Sequence, residues 1–289
     1  MKSVLITGTS KGIGMDTALA FGRAGYQVHA TMRQPAQSPE LAQAAARENL
    51  PILVSTMDVD SDQSVRDAMA DIHENHGSID VLVNNAGVER TGSVEELSLE
   101  DFRAVMETNY FGAIRCIQAL VPHMRKRQSG SIINVTSVAG RIANPPLVPY
   151  TASKWALEAL SEVLAAEMKP FGVRVAIVEP GIIDTAMARR VEEPPDDSVY
   201  PHRARLAALF KASLKNPVPP SLVAQKILDI AESQTWQLRH PVGPDAKPFL
   251  EWRNKMTDEE WAELFSSDEE TWCRRVERDF GLVLDPRAA

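Results

Sequence analysis

Six short runs rich in β-branched residues recur along the chain, each followed by a stretch with helical periodicity, and that alternation leaves few folds open. The runs are Val4 to Thr7, Gln27 to Met32, Ile52 to Met57, Val81 to Asn84, Ser131 to Thr136 and Val173 to Val178. Between them lie helix-period segments near 13–24, 38–49, 62–75, 99–127 and 152–169. Strand, helix, strand at this spacing predicts an α/β domain, a parallel sheet with helices on both faces. Strands covered on both sides are apolar throughout instead of alternating, as these are. Local punctuation agrees. Ser98 precedes Glu100 and Asp101 as an N-cap with acids in the first turn, and Lys169-Pro170-Phe171-Gly172 supplies a helix stop.

After Thr185 the alternation ends. Residues 186–217, with the Pro-rich acidic segment Glu192 to Asp197, read as a mobile loop, followed by a helix at 220–233 and a short strand near 236–240. Beyond Gly243 the chain carries Trp252, Trp261, Phe265 and Trp272, which need burial, and Thr257-Asp258-Glu259-Glu260, a capping box that starts a helix. The expected division is one domain over 1–243 and a helical extension over 244–289 packed on it.

Composition excludes several classes. With 289 residues, 44% hydrophobic and 24% charged, the chain matches an ordinary globular protein that buries a sizeable core. A net charge of -8 without a basic stripe argues against nucleic acid as partner. Two cysteines, Cys116 and Cys273, make neither a disulfide framework nor a four-ligand zinc site, and His73 and His76 read as helix C-terminal cations, so no metal is expected. No cleavable leader and no apolar stretch of bilayer length is visible, so the cytoplasm is the expected compartment, with no membrane span. Gly-x-Ser-x-Gly is absent, which leaves a hydrolase without a nucleophile elbow.

The first strand runs into Thr7-Gly8-Thr9-Ser10-Lys11-Gly12-Ile13-Gly14 and then a helix. Glycines at this turn let a pyrophosphate approach the backbone at a helix N-terminus, so the loop reads as a dinucleotide site. The second strand ends Ala30-Thr31-Met32-Arg33, without the acid that holds an NAD ribose. Lys11 and Arg33 stand where a 2′-phosphate would lie, which favours NADP(H) over NAD(H).

Tyr150 and Lys154 are four apart at a helix start, hence on one face. Ser137 closes the fifth strand at the carboxyl edge, where open α/β sheets bind ligands. Asn109 sits inside a long helix although Asn is a mediocre helix former. With Asp58-Val59, Asn84-Asn85-Ala86-Gly87 and Pro180-Gly181, these pieces follow one another in an order and spacing that resembles the short-chain dehydrogenases/reductases of the Tyr-x-x-x-Lys type, over residues 1 to about 243. Ser137-Val138-Ala139-Gly140-Arg141-Ile142 and Glu158-Ala159-Leu160 are similar to the retinol/hydroxysteroid-dehydrogenase-like branch.

The resemblance implies a Rossmann-type doubly wound sheet of about seven strands and a set of roles. Tyr150 would be the general acid/base in hydride transfer, its pKa lowered by Lys154 together with the positive charge of the oxidised nicotinamide, and Lys154 would bond the nicotinamide ribose. Ser137 would hold the substrate oxygen, and Asn109 would anchor a water that links Lys154 to solvent. Gly8, Ser10, Lys11, Gly12, Ile13 and Gly14 would cradle the pyrophosphate, Asp58 and Val59 would meet the adenine, and Asn85, Ala86 and Gly87 its ribose. Pro180, Gly181, Ile183 and Thr185 would pack on the carboxamide, while Asn84 would brace the sheet. Val138, Ile142, Leu147, Ile183, Ala186 and Met187 give an apolar pocket for a lipophilic ketone, aldehyde or alcohol. Glu89 and Arg90 read as solvated rim residues and His202 as a solvated loop histidine. Helices 99–127 and 152–169 usually pair between subunits in this family, which implies a homodimer, with a tetramer as the alternative. The extension would form a substrate lid or cover an interface. A non-catalytic NADP(H) sensor and an NAD-dependent alcohol dehydrogenase are the competing functions.

Overall fold

In the computed structural model, residues 1–190 and 198–285 are described. The acidic segment from Glu192 to Asp197, expected as a mobile loop, lies outside them. Strands β1 (Ser3–Thr7), β2 (Gln27–Met32), β3 (Ile52–Thr56), β4 (Val81–Asn84), β5 (Gly130–Val135), β6 (Val173–Pro180) and β7 (Arg239–Val242) form one sheet in the order β3-β2-β1-β4-β5-β6-β7, every pair parallel. The chain winds outward from β1 to β3, then returns to β4 and winds the other way. The reversal opens a crevice at the carboxyl ends of β1 and β4, the position where such sheets bind ligands.

Helices α1 (Gly12–Arg23), α2 (Glu40–Glu48) and α8 (Pro220–Glu232) cover one face; α3 (Asp62–His76), α5 (Gly112–Arg127) and α6 (Val148–Met168) cover the other. The two-residue period of a strand sends Val4 and Ile6 of β1 to the first face, against Phe21 and Ile227, and Leu5 to the second, with Ile117 and Leu164. All three are fully buried, which is why the run is continuously apolar. Each such side chain contributes about 2 kcal/mol relative to exposure.

Three expectations change. The segment 99–127 is not one regular helix: α4 (Leu99–Met106) and α5 are joined by a π turn over Glu107–Phe111 that contains Asn109. The region 186–217 is not loop throughout, because α7 spans His202–Ser213; its apolar face, including Leu206, finds burial that the Pro-rich neighbourhood concealed. The last strand begins at Arg239, three residues later than expected, where it pairs with Ile177 of β6.

Beyond Gly243 three helices follow, α9 (Ala246–Asn254), α10 (Asp258–Ser266) and α11 (Glu269–Phe280). The capping box holds as read: Thr257 Oγ1 accepts from Glu260 N at 3.2 Å and Glu260 Oε2 from Thr257 N at 2.9 Å. These helices share an apolar cluster with Val138, Ile142 and Leu209, so the extension packs over the turn that follows β5. Among the described residues both cysteines are free, no group of side chains has the makings of a metal site, and no helix is long and apolar enough to cross a membrane.

Candidate active site

The turn from β1 to α1 is built on contacts that tolerate no side chain. A Cβ on Gly14 would stand 2.3 Å from the Gly8 carbonyl oxygen and 2.5 Å from Asn85 Nδ2, and one on Gly8 (φ +71°) would stand 2.7 Å from Ala86 Cα. Polar bonds pin the loop to the end of β4. Asn85 N and Ala86 N each donate to Thr7 Oγ1 at 3.0 Å, and Asn85 Nδ2 donates to the carbonyls of Thr7 (2.9 Å) and Gly8 (3.0 Å). Asn85 thus positions the glycine loop. At the head of α1, Lys11 caps without a side-chain bond and the first turn holds no acid, so its amides and positive dipole end are available to an anion.

A cavity of about 940 Å³ runs from this loop across the carboxyl edge of the sheet to the C-terminal helices. Gly8, Ser10, Lys11, Gly12, Ile13, Gly14, Arg33, Asp58, Val59, Asn85, Ala86 and Gly87 line one half of it. Ser137, Val138, Tyr150, Lys154, Pro180, Gly181, Ile183, Thr185 and Met187 line the other. Every residue expected at the cofactor or the substrate is therefore brought to one cavity, and Asn109 alone among the expected site residues is not on its wall. Arg33 and Lys11 are both exposed at its cofactor end.

Tyr150 lies in the first turn of α6, entered through Pro149. Burial dominates its surroundings and pushes the phenol up to about 12, with the neighbouring Ser137 hydroxyl acting the other way. Lys154, 4% exposed, donates from Nζ to the Val135 carbonyl at 2.9 Å. Burial pulls the ammonium down to about 8, opposed by the negative charge of Glu158 one turn further on. Nζ sits 5.5 Å from the centroid of the Tyr150 ring and is directed to the Val135 carbonyl, and the phenol is governed by its apolar surroundings.

Asn109 is 1% exposed and its amide is committed at both ends. Oδ1 accepts from Val88 N at 2.8 Å, while Nδ2 donates to Val88 O and to Ser153 Oγ, each at 2.9 Å. The residue ties the π turn to the segment after β4 and to α6, next to Tyr150 and Lys154. Its side chain thus clamps these three segments together. Asn84 braces the sheet, donating to Asn134 Oδ1 at 2.8 Å.

Sequence reasoning missed part of the site. Glu89 is not a solvated rim residue: it lines the cavity, accepts from Thr91 Oγ1 at 2.6 Å, and is held above the ordinary carboxyl range by burial. His202 belongs to α7 and shares the Phe265 carbonyl with Arg205. Behind Lys154, Glu158 accepts from Thr136 Oγ1 (2.7 Å) and Arg239 Nε (3.0 Å), and fully buried Glu179 lies 3.5 Å from Arg141 and 3.8 Å from Arg239. Burial pushes both carboxyls up. The network braces the end of β5 that presents Ser137. The visible signal was a glutamate, Glu158, facing inward on the helix that carries Tyr150. The C-terminal aromatics, for which a substrate lid or an interface cover was expected, line the same cavity through Trp252, Trp261, Phe265 and Trp272, and Trp261 Nε1 donates to the Ala143 carbonyl at 2.7 Å.

The sequence profile described as short chain dehydrogenase matches residues 2–196. The chain is 35% identical to oxidoreductase BOA17 of Botryotinia fuckeliana over 92% of its own length and 95% of that protein. It is 36% identical to human retinol dehydrogenase 8 over 82% and 80% respectively. Among solved structures, a short-chain dehydrogenase from Streptomyces avermitilis superposes with a TM-score of 0.77 at 32% identity, covering 96% of this chain and 98% of the other. A gluconate 5-dehydrogenase from Burkholderia cenocepacia, in complex with NADP and tartrate, does so with a TM-score of 0.73 at 26% identity, covering 85% and 95%. Sheet order, glycine loop and the Ser137, Tyr150 and Lys154 cluster agree with this likeness, and the chain belongs to the short-chain dehydrogenase/reductase family, including relatives of the retinol dehydrogenase type.

Proposed function

We propose that the protein is an NADP(H)-dependent oxidoreductase that interconverts a lipophilic ketone or aldehyde and its alcohol. One observation carries the reading: Tyr150 and Ser137, with Lys154 one turn away, line the same cavity as the glycine loop. The residues fit a dinucleotide, since the cradle at Gly8 and Gly14 has no room for a side chain and α1 begins with amides that no side chain caps. Gly8, Ser10, Lys11, Gly12, Ile13 and Gly14 would hold its pyrophosphate, Asp58 and Val59 the adenine, Asn85 to Gly87 and Lys154 the riboses, and Pro180, Gly181, Ile183 and Thr185 the nicotinamide. When bound, that group supplies or accepts the hydride.

The chain's own residues manage the proton. With its pKa near 12, the Tyr150 phenol is protonated at neutral pH and stands as the acid that donates to a carbonyl oxygen. Ser137 Oγ holds the same oxygen and directs it to the phenol. Lys154 sets charge beside the ring, and Asn109, through Val88 and Ser153, keeps the two walls of the site in register. Val138, Ile142 and Met187 with the tail aromatics exclude water around them. Arg33 and Lys11, with no acid at the end of β2, support a 2′-phosphate and hence NADP(H). Exposed Phe111, Trp155 and Val163 on and beside α5 and α6 support a homodimer through those helices.

The test is NADPH consumption over a panel of lipophilic ketones and aldehydes, alongside Tyr150→Phe. Turnover that vanishes in the variant while NADPH still binds is expected. Tight NADPH binding without any turnover would favour a sensor instead. Arg33→Asp should cut NADPH affinity about tenfold and leave NADH affinity unchanged; equal affinities in the unmodified protein would favour the NAD-dependent alternative.

A further inference from the structure

At its far end from the glycine loop, the cavity has more to say about the substrate than that it is apolar. Its wall there is aromatic, and α7, which closes it, opens with His202, Arg203 and Arg205. A helix start carries positive charge from its free amides and dipole and ordinarily attracts acids. The first turn of α7 has none and gathers basic groups, in a chain whose net charge is -8.

Two buried donors at this place have nothing to donate to. Arg205 is 4% exposed; NH1 donates to Phe265 O at 3.1 Å and NH2 to Ser267 O at 2.8 Å, which ties the end of α10 to α7. Its Nε has no acceptor, and the guanidinium makes no ion pair among the described residues. Trp272 is also 4% exposed, lies with its ring 6.0 Å from that guanidinium, and has an Nε1 without an acceptor. Both residues line the cavity. A buried cation without a counter-charge is costly, and so is a buried N–H left unpaired. Among the described residues on this half of the cavity wall the one acid is Glu89, which belongs to the Tyr150 end, where its charge acts on that phenol.

We propose that the substrate bears a carboxylate remote from its reacting carbonyl, seated on the aromatic wall against Arg205 and Trp272, so that the substrate class is an apolar oxo acid and its hydroxy-acid counterpart. The carboxylate accepts from the guanidinium and from the indole N–H, supplying the charge and the lone pairs that the wall lacks. The hydrocarbon between the two ends lies along Trp252, Trp261 and Phe265. This rests on the oxidoreductase reading for the reacting end only; the anion subsite stands without turnover.

The experiment separates the two. Decanoate and decanol, matched in chain and neither of them a ketone or an aldehyde, are titrated into the full-length protein by calorimetry, with tryptophan fluorescence as a second signal. Decanoate is expected to bind about tenfold or more tightly than decanol. Trp272→Phe, which keeps a ring and removes the N–H, and Arg205→Lys should each bring the two affinities together, with thermal unfolding checking that the variants fold. If Arg205→Lys fails to fold because the α7–α10 tie is lost, Trp272→Phe decides the matter. Decanol binding as tightly as decanoate, a preference unchanged in Trp272→Phe, or no binding of either compound overturns the proposal. Failure of the oxidoreductase reading looks different: no NADPH turnover with any carbonyl compound, with the decanoate preference intact.

Discussion

Lys154→Met should make the protein more stable at neutral pH while abolishing its activity, and the size of the effect should depend on pH in a way that identifies its cause. Burial lowers the lysine from 10.5 to about 8. At about 1.36 kcal/mol per pH unit, holding the charge costs the folded protein about 3 kcal/mol wherever both states are protonated, that is below pH 8. Between pH 8 and 10.5 the unfolded chain keeps the proton and the folded protein has released it, so stability rises with pH and the cost is relieved. By pH 10 about 1 kcal/mol of it remains. Methionine carries no charge at any pH, but it removes the bond from Nζ to the Val135 carbonyl, a loss of about 1 kcal/mol. The variant is therefore expected to exceed the unmodified protein by about 2 kcal/mol at pH 7 and to match it near pH 10. Tyr150 and Cys116, both pushed up to about 12 by burial, titrate in the same alkaline range in both proteins and cancel in the difference. Urea unfolding of the pair at the two pH values measures it. A gap that stays constant with pH would refute the reasoning, because it would mean that the buried ammonium costs nothing.

Gly14→Ala forces a methyl group onto the Gly8 carbonyl and Asn85 Nδ2; the lost bonds and strain together amount to about 3 kcal/mol, so NADPH binding should weaken about a hundredfold, and an unchanged Kd by fluorescence titration would contradict it. Asn109→Ala strips both the N–H and the carbonyl of Val88 of their partner and should cost about 3 kcal/mol in urea unfolding together with a fall in kcat; a loss of kcat at full stability would instead point to direct chemistry by the amide. Trp261→Phe leaves the Ala143 carbonyl without its donor, about 1 kcal/mol, and should raise KM for lipophilic substrates without altering NADPH affinity; a change in NADPH affinity would show that the tail wall reaches the cofactor half.

Much of the candidate site was legible in the chain because its codes are local. Gly8, Gly12 and Gly14 announce a turn by their spacing, Tyr150 and Lys154 share a face through the helical period, and the continuously apolar runs reveal a sheet covered on both sides. The π turn was not legible. The spacing around Asn109 reads as one helix, and only its bonds to Val88 and Ser153 account for the extra residue in the turn.

Residues paired across long stretches of chain were settled by the sheet order and by the packing of the tail. Glu158 meets Arg239 across 81 residues because β7 lies beside β6, under the helix that carries Tyr150. Trp261 reaches Ala143 across 118 residues because the C-terminal helices fold back over the turn after β5. Glu89 was taken for a rim residue since its burial is imposed by other parts of the chain, and His202 was taken for a loop histidine although it belongs to α7 and meets the Phe265 carbonyl at the end of α10. Periodicity and turn chemistry act over a few residues and so can be read one segment at a time. A buried charge or an unpaired donor is defined by what is absent from its surroundings, and those surroundings exist only once distant segments have packed.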